Sequence, residues 1–146
     1  MPENREFCVH AHFYQPPRED PYTGKIPDET GAAPYANWNE RILATCYQPN
    51  LEERNFSELS YNLGPTLTGW MNEYAPDVLA KIVQEDVLNS TLYGAGNAIA
   101  QPYHHTILPL ANSEDKRTQV TWGIEAFKQV FKRTPLGMWL PETAVD

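Results

Sequence analysis

The chain reads as an α/β fold with parallel strands, the N-terminal part of a barrel-like sheet. Two patterns and one arrangement point that way. Short strand-like runs recur near residues 7–12, 59–63, 97–103 and 137–142, and apolar residues at helical spacing fill the intervals between the last three. The order strand, helix, strand, helix, strand, helix, strand implies parallel strands joined by right-handed crossovers. Polar clusters follow the first, third and fourth runs, as expected of side chains delivered to one edge of a parallel sheet.

In the first strand, Cys8, His10 and His12 share a face because side chains alternate. Residues 16–37 form a long loop rich in Pro and Gly that carries Tyr22 and Tyr35, with Trp38 just beyond it, and a loop of this length is more often functional than idle. Residues 39–47 form a helix with Ile42, Leu43 and Cys46 on one side. The run Leu59-Ser60-Tyr61-Asn62-Leu63 is the second strand, halted by Gly64-Pro65. Leu67, Trp70, Met71 and Tyr74 make one helical stripe, and Val78, Leu79, Ile82 and Val83 make a second. Pro76 begins the second helix, where a missing N–H costs nothing. Ser113 is expected to cap a helix with Glu114 and Asp115 in its first turn and a core face of Val120, Ile124, Phe127 and Phe131. Pro135 ends it, and residues 137–142 form the fourth strand, with no helix after it. Trp70 and Trp122 are assigned to packing. Glu52-Glu53 and Glu85-Asp86 are assigned to solvated faces.

Length and composition set the bounds. With 146 residues, 41% hydrophobic and 21% charged, the chain reads as soluble and globular. A parallel barrel takes about 250 residues, so residues 1–146 are expected to be the N-terminal portion of a catalytic barrel whose later strands lie elsewhere. The net charge of −8 without a basic cluster excludes a nucleic-acid surface. No stretch approaches the ~20 apolar residues of a membrane span, and the first residues lack the apolar core of an export signal. Two cysteines, Cys8 and Cys46, suit neither a disulfide scaffold nor a zinc site. A cytoplasmic enzyme fits these bounds.

Three polar clusters carry the chemistry. Gly137-Met138-Trp139-Leu140-Pro141-Glu142 is an apolar run that breaks at a proline and delivers one carboxylate. Glu142 can be a loop or helix-capping residue, or a nucleophile or acid/base group at a strand end, and Trp139 offers a platform for a sugar ring. His10 and His12 point the same way. They can bind a metal together, serve as core histidines, or hydrogen-bond a substrate hydroxyl, and Gln15 adds an amide suited to vicinal hydroxyls. In the third cluster, Gln101-Pro102-Tyr103-His104-His105, the two histidines point to opposite faces, so at most one serves the site. His105 is expected to be pinned by the apolar segment 106–110, and to be the third ligand if a metal is bound.

Together His-Ala-His-Phe-Tyr-Gln-Pro-Pro at 10–17, the segment 96–110 and Gly-Met-Trp-Leu-Pro-Glu-Thr-Ala at 137–144 resemble the first three sequence regions of glycoside hydrolase family 57, in particular its large members described only as alpha-amylase-related. The resemblance implies an incomplete (β/α)7 TIM-like barrel and metal-free, cofactor-free retaining chemistry on the α-glucosidic bonds of an α-glucan. It places the nucleophile at Glu142 and contacts to the sugar at His10, His12, Gln15, His105 and Trp139. The family's acid/base is an aspartate in a fourth region on a later strand, and Asp146 lies too close to Glu142 to be it. Without that residue the chain alone is expected to be inactive. Two other readings stand beside this one: a metal-dependent polysaccharide deacetylase or amidohydrolase using His10, His12 and His105, and a non-catalytic carbohydrate-binding fragment.

Overall fold

The computed structural model describes residues 6–145. Residues 1–5, weighed above for an export signal, and Asp146 lie outside them. The first strand, β1, is His10–Phe13 and pairs in parallel with β2, Ser60–Leu63, with His10 opposite Ser60 and His12 opposite Asn62. The third and fourth strand patterns are realised as single parallel bridges, Tyr61 with Ala98 and Ala100 with Met138. Ala100 donates to Gly137 O at 3.0 Å and accepts from Trp139 N–H at 2.8 Å. The next residues in register are Pro102 and Pro141, which have no N–H to give, so the ladder stops there. Four segments therefore lie parallel, side by side in sequence order, but β1 starts at His10 rather than residue 7, β2 at Ser60 rather than Leu59, and the last two are reduced to bridges.

Before β2 come α1 (Trp38–Ile42), a π-helical turn (Leu43–Tyr47), α2 (Gln48–Glu52) and α3 (Asn55–Glu58). The single helix expected at 39–47 is thus a helix that widens by one residue at its middle. Asn37 caps α1 by accepting Glu40 N–H at 3.0 Å. After β2 come α4 (Pro65–Tyr74) and α5 (Pro76–Tyr93), each with proline in its first turn. The last long helix, α6, is Ser113–Phe131, and its cap is Asn112 rather than Ser113: the Asn112 side chain accepts Asp115 N–H at 2.8 Å. It ends at Lys132, whose left-handed backbone (φ 56) stops it before Pro135 is reached.

Phe56, Tyr61, Leu67, Met71 and Ile82 are fully buried between the sheet and the helices, with Phe127 and Phe131 of α6 closing the core. Gly123 lets α6 approach the third segment: a Cβ there would sit 1.9 Å from Gln101 O. Trp70 is buried as assigned. Trp122 is not a packing residue; it is 52% exposed, with its ring set edge-on to Tyr103. Asp86 also departs from its assignment to a solvated face. It lies four residues after Ile82 on the inner side of α5 and is fully buried. Arg133 Nε and Nη2 each donate to it at 2.8 Å, and so does Ala98 N–H; Arg133 Nη2 also donates to Ala98 O at 2.8 Å. This ion pair ties the third segment to α5 and to the end of α6. Among the described residues, no helix is long and apolar enough to cross a membrane.

Candidate active site

Parallel pairing brings the C-terminal ends of the segments to one edge, and three of the sequence clusters meet there. His12, on β1, has Nε2 3.0 Å from His105 Nε2, which lies beyond the third segment. His105 Nδ1 is 4.0 Å from Glu142 Oε1, beyond the fourth. Trp139 lies flat on His12, with ring centroids 3.7 Å apart, and Tyr14 packs on His105 at 4.3 Å.

The backbone at Glu142 is unusual. Glu142 and Thr143 are both left-handed, at φ 56 and 51. Such conformations in residues with a Cβ cost on the order of 1–3 kcal/mol and persist where the surroundings impose them, often at functional sites. Here Pro141 is buried just before the turn, and Leu140 O accepts Thr143 N–H at 2.9 Å. The Glu142 side chain is left 64% exposed, so its carboxylate is open to a ligand.

His105 is also left-handed, at φ 43. The two histidines diverge, although the backbone here is a turn and not the extended strand on which alternation would separate them. His104 turns out to Gln119, whose Oε1 accepts its N–H at 2.7 Å and whose Nε2 meets its Nδ1 at 3.0 Å. In the apolar segment after His105, Ile107 and Leu110 are exposed. His12 and the rings of Tyr14 and Trp139 hold His105.

A buried polar layer lies beneath the histidines. Asn62 on β2 is fully buried, with Nδ2 2.9 Å from His12 Nδ1 and Oδ1 3.1 Å from His10 Nε2. Its Nδ2 also donates to Gln101 Oε1 at 2.5 Å. In the sequence Asn62 stands only as a residue of the second strand pattern, and Gln101 as a member of the third cluster. A signal was present, since Ser60 and Asn62 alternate on β2 as His10 and His12 do on β1. His10, itself exposed, borders this layer, with Nδ1 3.0 Å from Ser60 Oγ. Gln15 is turned inward: its Nε2 donates to Tyr47 OH at 3.1 Å, and its Oε1 accepts from Arg18 at 3.4 Å. Burial pushes the Tyr47 hydroxyl up to about 12, so it stays neutral. Arg18 also bonds Glu29 and Asn39, which fastens the long loop beside the site.

Burial is the main force lowering the pKa of His12, assisted by the nearby His105 and His10 and opposed by Glu142. Among the described residues, no group of three or more His, Cys, Asp or Glu side chains is placed to hold a metal ion.

The fold and this edge define a mixed α/β protein with a carboxylate and paired histidines at the C-terminal ends of parallel segments. The model of glycosyl hydrolase family 57 matches residues 7–146, and the chain belongs to that family. Solved structures with a similar fold include a GH57-type branching enzyme from Pyrococcus horikoshii (20% identity, TM-score 0.62) and a GH57 branching enzyme from Thermococcus kodakaraensis in complex with glucose (17%, 0.62). The alpha-amylase AmyC from Thermotoga maritima is a third (15%, 0.56). Each match covers 92% of this chain but only 34%, 32% and 35% of those chains respectively, so the chain spans about a third of their length. No curated protein matches the sequence.

Proposed function

We propose that this chain is the N-terminal part of an incomplete (β/α)7 barrel in a retaining glycosidase or glucanotransferase of α-glucans, with Glu142 as the nucleophile. The observation that carries the reading is the meeting of His12, His105 and Glu142, from three separated motif regions, at one sheet edge. Family membership and the branching-enzyme and amylase neighbours favour α-glucan as the substrate class.

In this reading Glu142 attacks the anomeric carbon while an acid protonates the departing glycosidic oxygen. The resulting glycosyl ester passes to water or to a hydroxyl of a second sugar. Retaining chemistry sets the two carboxyl groups ~5–5.5 Å apart. The acid/base is the aspartate of the family's fourth region, outside these 146 residues. His12 and His105 bind hydroxyls of the sugar at the cleaved bond. Trp139 has one face taken by His12, so it contacts the sugar with its edge or remaining face. His10 and Gln15, engaged with Ser60, Asn62, Tyr47 and Arg18, contribute by holding the first region in place. Less favours the metal-dependent alternative, because both nitrogens of His10, one of its three expected ligands, face Ser60 and Asn62.

The test is the stereochemistry of turnover on maltooligosaccharides, followed by NMR of the newly formed anomer in the intact protein. The reading predicts retention and a loss of roughly a thousandfold or more in Glu142→Gln, as when a nucleophile is removed. Inversion, or normal turnover by the variant, would overturn it.

A further inference from the structure

We infer that Asn62 is a positioning residue that sets the tautomers of His12 and His105 and so turns an N–H toward Glu142. The inference deepens the glycosidase reading and rests on it for its kinetic consequence, while the tautomers themselves stand on geometry alone.

The amide orientations follow one from another. Gln101 Nε2 donates to Pro102 O at 3.4 Å, which leaves Gln101 Oε1 facing Asn62. That oxygen only accepts, so the Asn62 atom 2.5 Å away is the donor Nδ2. The second Nδ2 hydrogen meets His12 Nδ1 at 2.9 Å, closer than the 3.3 Å from Asn62 Oδ1 to the same nitrogen. Asn62 Oδ1 is then free to accept from His10 Nε2 at 3.1 Å, and His10 Nδ1 accepts the Ser60 hydroxyl at 3.0 Å.

His12 Nδ1 is therefore an acceptor and its proton sits on Nε2. That N–H donates to His105 Nε2 at 3.0 Å, a separation that accommodates one proton between the two nitrogens and not two. His105, bare at Nε2, carries its proton on Nδ1, the atom 4.0 Å from Glu142 Oε1. One assignment partners the nitrogens from Gln101 to His105 Nε2, and it leaves the His105 Nδ1 proton facing Glu142 Oε1 at 4.0 Å, beyond hydrogen-bond distance. Asn62 is 0% and Gln101 2% exposed, so water does not compete for these groups. Burial of His12 favours the neutral ring that the assignment needs. With the opposite His12 tautomer, His105 would turn a lone pair toward the carboxylate and repel it.

The test is ¹⁵N NMR of the intact protein labelled at histidine, with the signals of this chain assigned by single histidine substitutions. At pH 7.5 His12 should be protonated on Nε2 and His105 on Nδ1. His12 protonated on Nδ1 would overturn the inference. Asn62→Asp replaces the Nδ2 donor with an acceptor and should move the His12 proton to Nδ1. The outer hydrogen-bond partners of metal-bound histidines are worth ~10–100-fold in activity, and the same order of loss is expected here, in kcat more than in KM. Asn62→Asp with wild-type tautomers and wild-type kcat would also overturn it. If that variant does not fold, the wild-type tautomers still decide. If Glu142→Gln retains full turnover, the glycosidase reading fails while the tautomer result stands separately.

Discussion

The imidazole of His12 lies against the indole of Trp139, with centroids 3.7 Å apart and planes 13° from parallel. The contact joins the first strand to the fourth segment and makes one block of two residues from opposite ends of the chain. Stacked aromatic pairs contribute about 0.5–1.5 kcal/mol beyond their buried area. Trp139→Ala should free the His12 ring and lower kcat/KM by roughly tenfold, while Trp139→Phe keeps most of the activity. Steady-state kinetics of the two variants checks this, and equal loss in both would mean that the stack on His12 does not carry the effect.

Acid should weaken the fold through His12. Its pKa is lowered in the folded chain from 6.5, chiefly by burial, so between the two values the unfolded chain binds the proton that the folded chain refuses. Stability from this group is therefore complete above about pH 6.5 and is lost as pH falls through the lowered folded value. Denaturant titrations of the intact protein at pH 7.5 and 5 should show the drop, and it should be smaller in His12→Gln. An equal drop in both proteins would assign the acid sensitivity to other groups.

Breaking the buried Asp86–Arg133 pair should be among the most damaging single changes in this chain. Asp86 is fully buried and accepts three hydrogen bonds, two from Arg133 and one from Ala98 N–H. Arg133→Met leaves the carboxylate without its counter-charge, at a cost of about 3–5 kcal/mol. Chemical denaturation of the variant measures this, and a loss below about 1 kcal/mol would reduce the pair to the worth of a surface bridge.

Much of this architecture was legible in the sequence, and the departures have physical causes. The alternation of periods located all four parallel segments and the three long helices, because each element presents a regular apolar face. It overstated the third and fourth strands because periodicity does not register missing donors: Pro102 and Pro141 sit where the next ladder bonds would form. Asp86 was misassigned by its charge, although it continues the Leu79 and Ile82 stripe and finds Arg133 47 residues away. Motif resemblance pointed to His12, His105 and Glu142, and the fold brings them together. The place of Asn62 against His12 depends on strand register, which a single strand pattern does not reveal.

Gly123 should not tolerate a side chain. A Cβ there would come within 1.9 Å of Gln101 O and 2.9 Å of its carbonyl carbon, both backbone atoms. Gly123→Ala must push α6 away from the third segment, at a cost of about 1–3 kcal/mol, and would disturb Gln101 beneath the histidines. Melting temperature and turnover should therefore fall together. An unchanged melting temperature would mean that the helix yields without strain.

The most direct test of the central claim is to trap the sugar on its nucleophile. The intact protein would be treated with a fluorinated glucosyl fluoride, whose leaving group needs little acid assistance and whose ester is hydrolysed slowly. Peptide mass spectrometry should then find one glucosyl adduct, on Glu142, at the end of the fourth segment. Glu142→Gln, nearly identical in shape but far less nucleophilic, should remain unlabelled while keeping its melting temperature. A covalent adduct on another carboxylate, or undiminished labelling of the Gln variant, would contradict the assignment of Glu142.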